Sequence, residues 1–195
     1  MYQHFFKRLL DICISSIALL FLSPALLLIV LLIKIDSTGP VLFKQIRLGK
    51  DNKTFTVYKF RTMTDKDRVV DRVIYKGDPD VTRLGEVLRR FKIDEIPQLF
   101  NVLLGDMSLI GPRPCMPEML EQFDDNGKYR TKALPGLTGL AQVNGNIYLD
   151  WKDRWQYDRR YVENISFFLD CTIILKTLKI LLKGEDKFIK KPTIE

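Results

Sequence analysis

Two adjacent acidic residues, Asp94 and Glu95, are the side chains whose type and spacing best suit catalysis. The apolar residues after them recur at helical spacing, Asp94 is a good N-cap type, and Gly105 is a suitable C-terminal cap. Both carboxylates are therefore predicted at a helix N-terminus, where free amide donors attract phosphate and stabilise an ionised, nucleophilic carboxylate. A simple acidic cap without any chemical role is the alternative, and for an isolated pair it is the commoner one.

Basic residues on both sides of this pair favour a phosphate site over a simple cap. Arg89 precedes the acids, and Arg113 lies in the segment GPRP at 111–114. The glycine and the two prolines hold Arg113 in a stiff, extended turn, which restricts where its guanidinium group points. A rigid arginine suits bidentate recognition of phosphate, so the combination predicts a site for a phosphate-bearing substrate.

Composition argues against most other chemistries. The 195 residues, 46% hydrophobic and 28% charged, indicate one folded domain, and the net charge of +7 favours acidic partners. With His4 as the sole histidine, histidine-based triads and zinc sites are disfavoured. Cys13, Cys115 and Cys171 are far apart, which indicates reduced thiols in a protein facing the cytosol. Catalysis would then rest on carboxylates, basic residues, backbone amides or a hard metal ion.

An uncharged stretch at 12–33 is long enough to cross a bilayer as a helix. Ser23-Pro24 lies at its centre, where proline removes a backbone donor and predicts a break; Ser23 is predicted to bond the carbonyl that Pro24 leaves free. Cationic residues flank both ends, which places both on the cytoplasmic side. These features fit a re-entrant helix and a kinked spanning helix equally well. Asp11, at the hydrophobic boundary, is predicted to pair with Arg8.

The rest of the chain has the patterns of a soluble domain. Segments 41–49 and 54–63 are β-branched and aromatic around a polar turn, which predicts a β-hairpin. Polar residues 65–80 predict a surface loop, and 83–90 a short helix. Trp151 and Trp155 fit either a membrane interface or a core.

Residues 165–187 predict an amphipathic helix with a polar line and an apolar remainder. A lysine stripe on an apolar helix is typical of a helix lying on anionic lipid, and the solvated face of a bundle helix is the alternative. Nucleic acid is not an expected partner, because no aromatic stacking platform accompanies these lysines. The polar line is Thr172, Lys176, Lys179, Lys183 and Lys187.

These patterns together predict a mostly helical α+β fold in two parts. Residues 1–36 are predicted to form a membrane helix, re-entrant if it breaks at Ser23-Pro24, and residues 37–195 a domain on the cytoplasmic side that carries the candidate catalytic residues, a small β-hairpin and interfacial amphipathic helices.

The order and spacing of many motifs resemble the small monotopic phosphoglycosyl transferases of the bacterial sugar transferase family. The similarity runs through nearly the whole chain. The matching blocks are Lys7-Arg8 with Asp11, Ser23-Pro24, FKQxRxG at 43–49, YKFRTM at 58–63, DExPQLxN at 94–101, GDMSxxGPRP at 105–114, PGLTG at 135–139 and YVEN at 161–164.

The resemblance implies a reaction and a location. Members of the family transfer a phosphosugar from a UDP-sugar to undecaprenyl phosphate, release UMP and require Mg²⁺. An N-acetylated aminosugar is the expected donor sugar. The Ser23-Pro24 break would keep the protein on the cytoplasmic face of the bacterial inner membrane, in contact with anionic lipid.

The resemblance also implies roles for individual residues. Asp94 would be the nucleophile that forms a covalent phosphosugar-aspartate, and Glu95 would support it, both of them near the metal. Such ping-pong chemistry needs no histidine. The basic residues expected to bind substrate phosphates are Arg113, Arg89, Lys59 and Arg61.

Two positions depart from the family pattern. Leu134 stands where relatives have arginine before the PGLTG turn, so Arg130 or Lys132 is expected to compensate unless that contact is absent. Lys92 stands where serine is common and either adds charge near the phosphates or is a surface change. A membrane-anchored basic binding protein without catalysis, and an enzyme of the same chemistry whose helix crosses the membrane, are the competing hypotheses.

Overall fold

The computed structural model describes residues 2–64 and 78–183, so most of the predicted 65–80 loop lies outside the described residues. The predicted mostly helical α+β fold is confirmed. After a short π-helical segment Tyr2–Phe6, the elements in chain order are α1 (Lys7–Asp36), β1 (Leu42–Leu48), β2 (Thr54–Phe60), α2 (Arg83–Arg90), α3 (Gln98–Leu104), β3 (Ser108–Ile110), α4 (Asp125–Arg130), β4 (Gly136–Thr138), α5 (Leu140–Val143), α6 (Trp151–Glu163) and α7 (Phe167–Lys183).

The apolar helix α1 is continuous through Pro24 and is long and apolar enough to cross a membrane. The Ser23 hydroxyl donates to the Leu20 carbonyl at 2.8 Å, as predicted, and this is the carbonyl that a proline at position 24 leaves without a donor. The structure differs from the predicted break, because the helix is not interrupted at Ser23-Pro24; the hydroxyl supplies the missing donor. Much of the apolar surface of α1 is exposed, as at Phe21, which is 83% exposed.

The N-terminal end of α1 is held by buried polar contacts. Lys7 Nζ lies 2.9 Å from an Asp170 carboxylate oxygen, and Asp11 accepts a hydrogen bond from the Leu109 amide at 3.1 Å. The predicted Arg8–Asp11 pair is wrong. Arg8 donates to the Leu103 carbonyl at the end of α3, while Lys7 is the cation near Asp11, at 4.0 Å. Asp11 faces the domain interior, and Lys7 reaches it one turn away on the same helix.

The C-terminal end of α1 packs on a different part of the same domain. Ile33 is buried in an apolar cluster with Phe60 of β2 and Leu88 of α2. Just beyond, the Lys34 ammonium donates to the Gly39 carbonyl at 3.0 Å. Thus both ends of α1 contact the domain, while the middle of the helix is exposed.

The predicted hairpin is confirmed by antiparallel pairing of β1 and β2 from Leu42–Phe60 to Leu48–Thr54. Helix α3 is attached to it through Asn101, whose side chain accepts from the Tyr58 amide at 3.1 Å and donates to the Thr56 carbonyl at 2.7 Å. Because its side-chain amide bonds an N–H group and a carbonyl group of β2, Asn101 fixes α3 against that strand.

A second sheet, parallel and only two strands wide, joins β3 to β4. Glycines allow the chain segments to touch there: a Cβ on Gly136 would lie 2.1 Å from the Gly111 amide nitrogen, and one on Gly111 2.3 Å from the Leu134 carbonyl oxygen. The GPRP and PGLTG segments are therefore packed backbone against backbone, which fixes the position of Arg113.

The C-terminal helices complete the core. Trp155 of α6 is buried against Phe123, whereas Trp151 is 46% exposed, so the core interpretation holds for Trp155 only. The predicted helix is confirmed over its described length, with Ile173 fully buried, and the apolar Phe168 is 81% exposed. The predicted polar line is divided, because Lys176 donates to Asn144 at 3.0 Å while Lys179 is exposed. Lys187 of the predicted lysine stripe lies outside the described residues.

Candidate active site

The acidic pair lies in a 3₁₀ turn, Ile93–Glu95, which leads into α3. The predicted helix start is corrected here: α3 begins at Gln98, and Asp94 does not cap it. Lys92 adopts a left-handed conformation, φ 57°, which reverses the chain after α2 and produces the separate turn. Gly105 ends α3 as predicted, with φ 95°.

Glu95 is the centre of a charged cluster. One of its carboxylate oxygens accepts from Lys59 Nζ at 2.7 Å and from Arg113 Nη2 at 2.6 Å. Burial by itself would raise the pKa of Glu95, but the charges and hydrogen bonds of Arg113 and Lys59 outweigh it and hold the pKa well below its usual range. Glu95 therefore stays ionised and joins β2 to the GPRP turn.

Asp94 differs from its chain neighbour Glu95 in both its contacts and the direction of its pKa shift. Its side chain makes no hydrogen bond or ion pair with any residue of 2–64 and 78–183, and the residue is 9% exposed. Burial and the neighbouring Glu95 charge raise its pKa, against the opposing effect of Lys59, Arg89 and Lys92. A buried carboxylate without a direct partner, surrounded by cations, is more nucleophilic than one that is ion-paired twice.

Arg89 contributes to this cluster from the last turn of α2. Its Nε donates to the Thr62 hydroxyl at 2.8 Å, and its charge lowers the pKa of Asp94. Helix α2 approaches Thr62 closely because Gly85 has no side chain; a Cβ there would lie 2.0 Å from the Thr62 carbonyl oxygen. Arg89, Lys59 and Arg113 thus come from three separate elements to the two acids.

Arg61 is the one predicted phosphate-binding residue that lies elsewhere. Its guanidinium group is buried, donates to the Pro40 carbonyl, and contacts the Ser37 carbonyl at 2.6 Å and the Ile33 carbonyl at 3.3 Å. Those carbonyls belong to the end of α1 and the turn after it. Arg61 therefore attaches the apolar helix to the domain, because helix-terminal carbonyls need donors.

Arg130 and Asp158 form a buried ion pair that holds the backbone of Arg113 in place. Arg130 Nη2 donates to the Arg113 carbonyl at 2.6 Å, while its Nε lies 3.2 Å from Asp158. Burial raises the pKa of Asp158 to about 6, although Arg130 and Arg154 act to lower it. Sequence reasoning named Arg130 only as a substitute for the family arginine at position 134 and did not find Asp158. The sequence signal of Asp158 was weak, since a single acid in a polar helix resembles a surface residue.

The two acids are also candidate ligands for a magnesium ion. Within the described residues there is no group of three or more histidine, cysteine or acidic side chains that could hold a metal ion. Asp94 and Glu95 offer two carboxylates, and Mg²⁺ commonly binds one or two carboxylates together with substrate phosphates. The residues present therefore fit an ion completed by the substrate, not a site made of protein ligands alone.

A family profile described as bacterial sugar transferase matches residues 2–184. The chain belongs to the bacterial sugar transferase family. The resemblance inferred from the motifs is thereby confirmed, and the site described above is that of a family member.

Named relatives of this sugar transferase act on undecaprenyl phosphate. It is 43% identical over 92% of its length to UDP-N-acetylgalactosamine-undecaprenyl-phosphate N-acetylgalactosaminephosphotransferase of Aeromonas hydrophila. It is 42% identical over 89% of its length to UDP-glucose:undecaprenyl-phosphate glucose-1-phosphate transferase of Klebsiella pneumoniae. The matches cover 44% and 39% of those two relatives. The uncharacterized sugar transferase EpsL of Bacillus subtilis, 39% identical over 92% of this chain, is matched over 88% of its own length.

Proposed function

We propose that this sugar transferase moves a phosphosugar from a UDP-sugar to undecaprenyl phosphate and releases UMP. The observation that carries the proposal is the contrast between the two adjacent acids: Glu95 is ion-paired to Lys59 and Arg113, whereas Asp94 is buried without a direct partner among the described residues. The names of the relatives from Aeromonas hydrophila and Klebsiella pneumoniae support the substrate class.

The reaction consists of two displacements at one phosphorus atom. A carboxylate oxygen of Asp94 attacks the β-phosphorus of the donor; the bond from that phosphorus to the α–β bridging oxygen breaks, and UMP leaves with the electron pair. A phosphate oxygen of undecaprenyl phosphate then attacks the phosphosugar-aspartate at phosphorus, and the Asp94 carboxylate departs. Covalent catalysis of this kind gives ping-pong kinetics.

The surrounding cations neutralise the charge that develops on the phosphate oxygens. Arg113 and Lys59 are fixed by Glu95, and Arg89 by Thr62, so their positions are set before substrate binds. Arg61 has no phosphate contact in this proposal, because its donors bind the end of α1. Asp94 and Glu95 would hold Mg²⁺ beside the donor pyrophosphate, where the ion neutralises phosphate charge.

A single variant tests the chemistry. Asp94→Asn is expected to abolish UMP release and the labile mass adduct that forms with donor alone, because an amide cannot attack the phosphorus. Asp125→Asn, at a side chain that is 90% exposed, is the matched control and is expected to behave as wild type. Near-wild-type UMP release by Asp94→Asn would refute the nucleophile and favour a protein whose acidic pair has no catalytic role.

The donor sugar is proposed to be an N-acetylated aminosugar. The name of the Aeromonas relative supports it, whereas that of the Klebsiella relative, at almost the same identity, contains glucose. Initial rates with UDP-N-acetylgalactosamine, UDP-N-acetylglucosamine, UDP-glucose and UDP-galactose test this proposal. A preference for either non-acetylated sugar would overturn it without affecting the proposed mechanism.

The helix α1 is proposed to be re-entrant, so that residues 1–36 enter and leave the membrane on the cytoplasmic face and the domain from residue 37 remains there. The contacts of Lys7 with Asp170 and of Ile33 with Phe60 support this, because the two ends of a spanning helix lie on opposite sides of a bilayer. The exposed Lys179 and Lys183 and the exposed apolar residues of α7 support contact with anionic lipid, whereas Lys176 donates to Asn144 within the domain.

Cysteine labelling tests the topology. In a variant without native cysteines, Gln3→Cys and Asp51→Cys are treated with an impermeant maleimide. We expect neither to react in intact cells and both to react after permeabilisation. Reaction of Gln3→Cys alone in intact cells would show that the helix crosses the membrane.

A further inference from the structure

A cavity of about 190 Å³ is lined by Pro114 of the GPRP turn and by Arg113, the same arginine that binds Glu95. Pockets that hold a whole drug-sized ligand are about 300–1,000 Å³, so this cavity suits one portion of a larger molecule. The lining residues that matter here are Arg47, Arg113, Arg130, Arg154, Gln142 and Trp151.

The cavity is strongly cationic. Four arginines line it, and Asp158 is the single acid among its lining residues. Arg154 makes no ion pair with any residue of 2–64 and 78–183, and its Nε donates to the Leu149 carbonyl at 3.1 Å. Partial burial and the nearby Arg113 and Arg130 charges lower its pKa, as expected where like charges are crowded. An anionic ligand would relieve that repulsion.

One residue that lines the cavity, Gln142, has a side-chain amide without hydrogen-bond partners among the described residues. Neither the oxygen nor the nitrogen of the Gln142 side-chain amide has a hydrogen-bond partner in the described protein, and both atoms are buried. An unsatisfied buried amide is costly and calls for an explanation. One amide offers an acceptor and a donor side by side, which complements the N3–H and carbonyl oxygen of a uracil ring.

We infer that this cavity binds the nucleotide half of the donor, with Arg154 contacting the phosphate next to the ribose and Gln142 reading the imide edge of uracil. The inference rests on the proposed function, and it adds the place of the nucleotide and the basis of its recognition. Arg113 both lines the cavity and binds Glu95, so a nucleotide bound there would have its phosphates within reach of the acidic pair. Trp151 supplies an aromatic wall, with the Arg154 guanidinium 4.6 Å from its ring centroid.

Equilibrium binding of nucleotides to two variants tests the assignment without any turnover. The probes are UMP, uridine and N3-methyl-UMP, titrated calorimetrically into the detergent-solubilised full chain. Wild type is expected to bind UMP on the order of tenfold more tightly than either of the other two ligands, since each lacks one hydrogen-bonding or charged group.

Each variant is expected to remove one of these differences and to serve as the control for the other. Gln142→Met should bind UMP and N3-methyl-UMP within about twofold of each other while keeping the preference for UMP over uridine. Arg154→Met should lose the preference for UMP over uridine while keeping the effect of N3 methylation. Gln122→Met, at an exposed glutamine outside the cavity, should keep both.

Thermal unfolding without nucleotide provides a second readout. Gln142→Met removes two unpaired buried polar atoms and should unfold at the same temperature as wild type or higher. A folded Gln142→Met protein that still discriminates against N3-methyl-UMP, or one with a clearly lowered unfolding temperature, would overturn the uracil assignment. Because UMP binding needs no Asp94 chemistry, a failed nucleophile test and a failed binding test give separate results.

Discussion

The Lys7 ammonium and the Asp170 carboxylate, 163 residues apart in the chain, meet at 2.9 Å in the protein interior. Tyr2 and Tyr161 also donate to Asp170, at 2.7 and 2.9 Å. The start of the apolar helix is thereby joined to α6 and α7 by one fully bonded buried carboxylate. Removing either charged partner would leave the other buried without its direct ion pair: Lys7 would keep only Asp11, at 4.0 Å, and Asp170 only the two tyrosine hydroxyls.

Asp170→Leu and Lys7→Met are each expected to lower the free energy of unfolding by about 3 kcal/mol, since each removes the direct ion-pair partner of a buried charge. The double variant should recover part of this loss. Denaturant unfolding in detergent measures it, and Glu163→Gln, in the exposed Arg159–Glu163 pair, is the control with an expected loss below about 1 kcal/mol. Losses that simply add in the double variant would show that the two residues are not coupled.

Variants of Arg61 and Lys59 are expected to distinguish a structural role from a catalytic role. Arg61→Met should reduce the free energy of unfolding by about 2–3 kcal/mol, because carbonyls at the end of α1 lose a charged donor, with little change in UMP affinity. Lys59→Met should lower the rate of UMP release by at least about tenfold, because Glu95 and the donor phosphates lose a cation. A large loss of UMP affinity in Arg61→Met would restore a phosphate-binding role for that arginine.

The acid side of the pH–rate profile should report the ionisation of the Asp94 carboxyl group. Its pKa is raised, so the ionised nucleophile is lost as the pH falls through a value above its usual range, while Glu95, whose pKa is lowered, stays ionised. Lys92→Asn removes a charge that lowers the pKa of Asp94, and asparagine tolerates the left-handed conformation at this position. The acid limb for single-turnover adduct formation should therefore move to higher pH.

Lys53→Asn, in the exposed hairpin turn, is the matched control for this measurement and should leave the acid limb where it is in wild type. An unchanged limb in Lys92→Asn, or one displaced to lower pH, would mean that the titrating group is not Asp94.

The Ser23 hydroxyl is expected to stabilise α1 although the residue lies among apolar side chains. Ser23→Ala leaves the Leu20 carbonyl without its donor, and the expected cost is about 1 kcal/mol of stability in lipid nanodiscs. Ser16→Ala, at an exposed serine of the same helix, is the comparison and should have no effect. Equal unfolding temperatures for the two variants would contradict the role of the Ser23 hydroxyl.

The features that could be predicted from sequence depend on neighbouring residues. The β1–β2 hairpin, helix α2, the Gly105 cap and the Ser23–Leu20 bond follow from patterns within a few positions. Residue type and spacing predicted the acidic pair, Arg89 and Arg113, and the family motifs added Lys59 and Arg61, but neither source fixes where each side chain lies.

The features that were missed depend on contacts between distant parts of the chain. Arg61 lies in a motif with Lys59, yet its position beside the end of α1 decides which groups it bonds. Lys7 replaces Arg8 near Asp11 because of which side of α1 faces Asp170. The β3–β4 pair was not predicted, since strands of three residues are too short to show a period.

The attachment of both ends of α1 to one domain has a consequence for the membranes that suit this protein. A helix that reaches the opposite interface must match the thickness of the hydrocarbon layer, at a cost for every ångström of difference. In the proposed re-entrant arrangement, a helix tied at both ends by Lys7 and Ile33 to the same domain would have no far interface to reach. The depth of its insertion is then set by the protein, so membranes with longer or shorter acyl chains should accommodate it equally well.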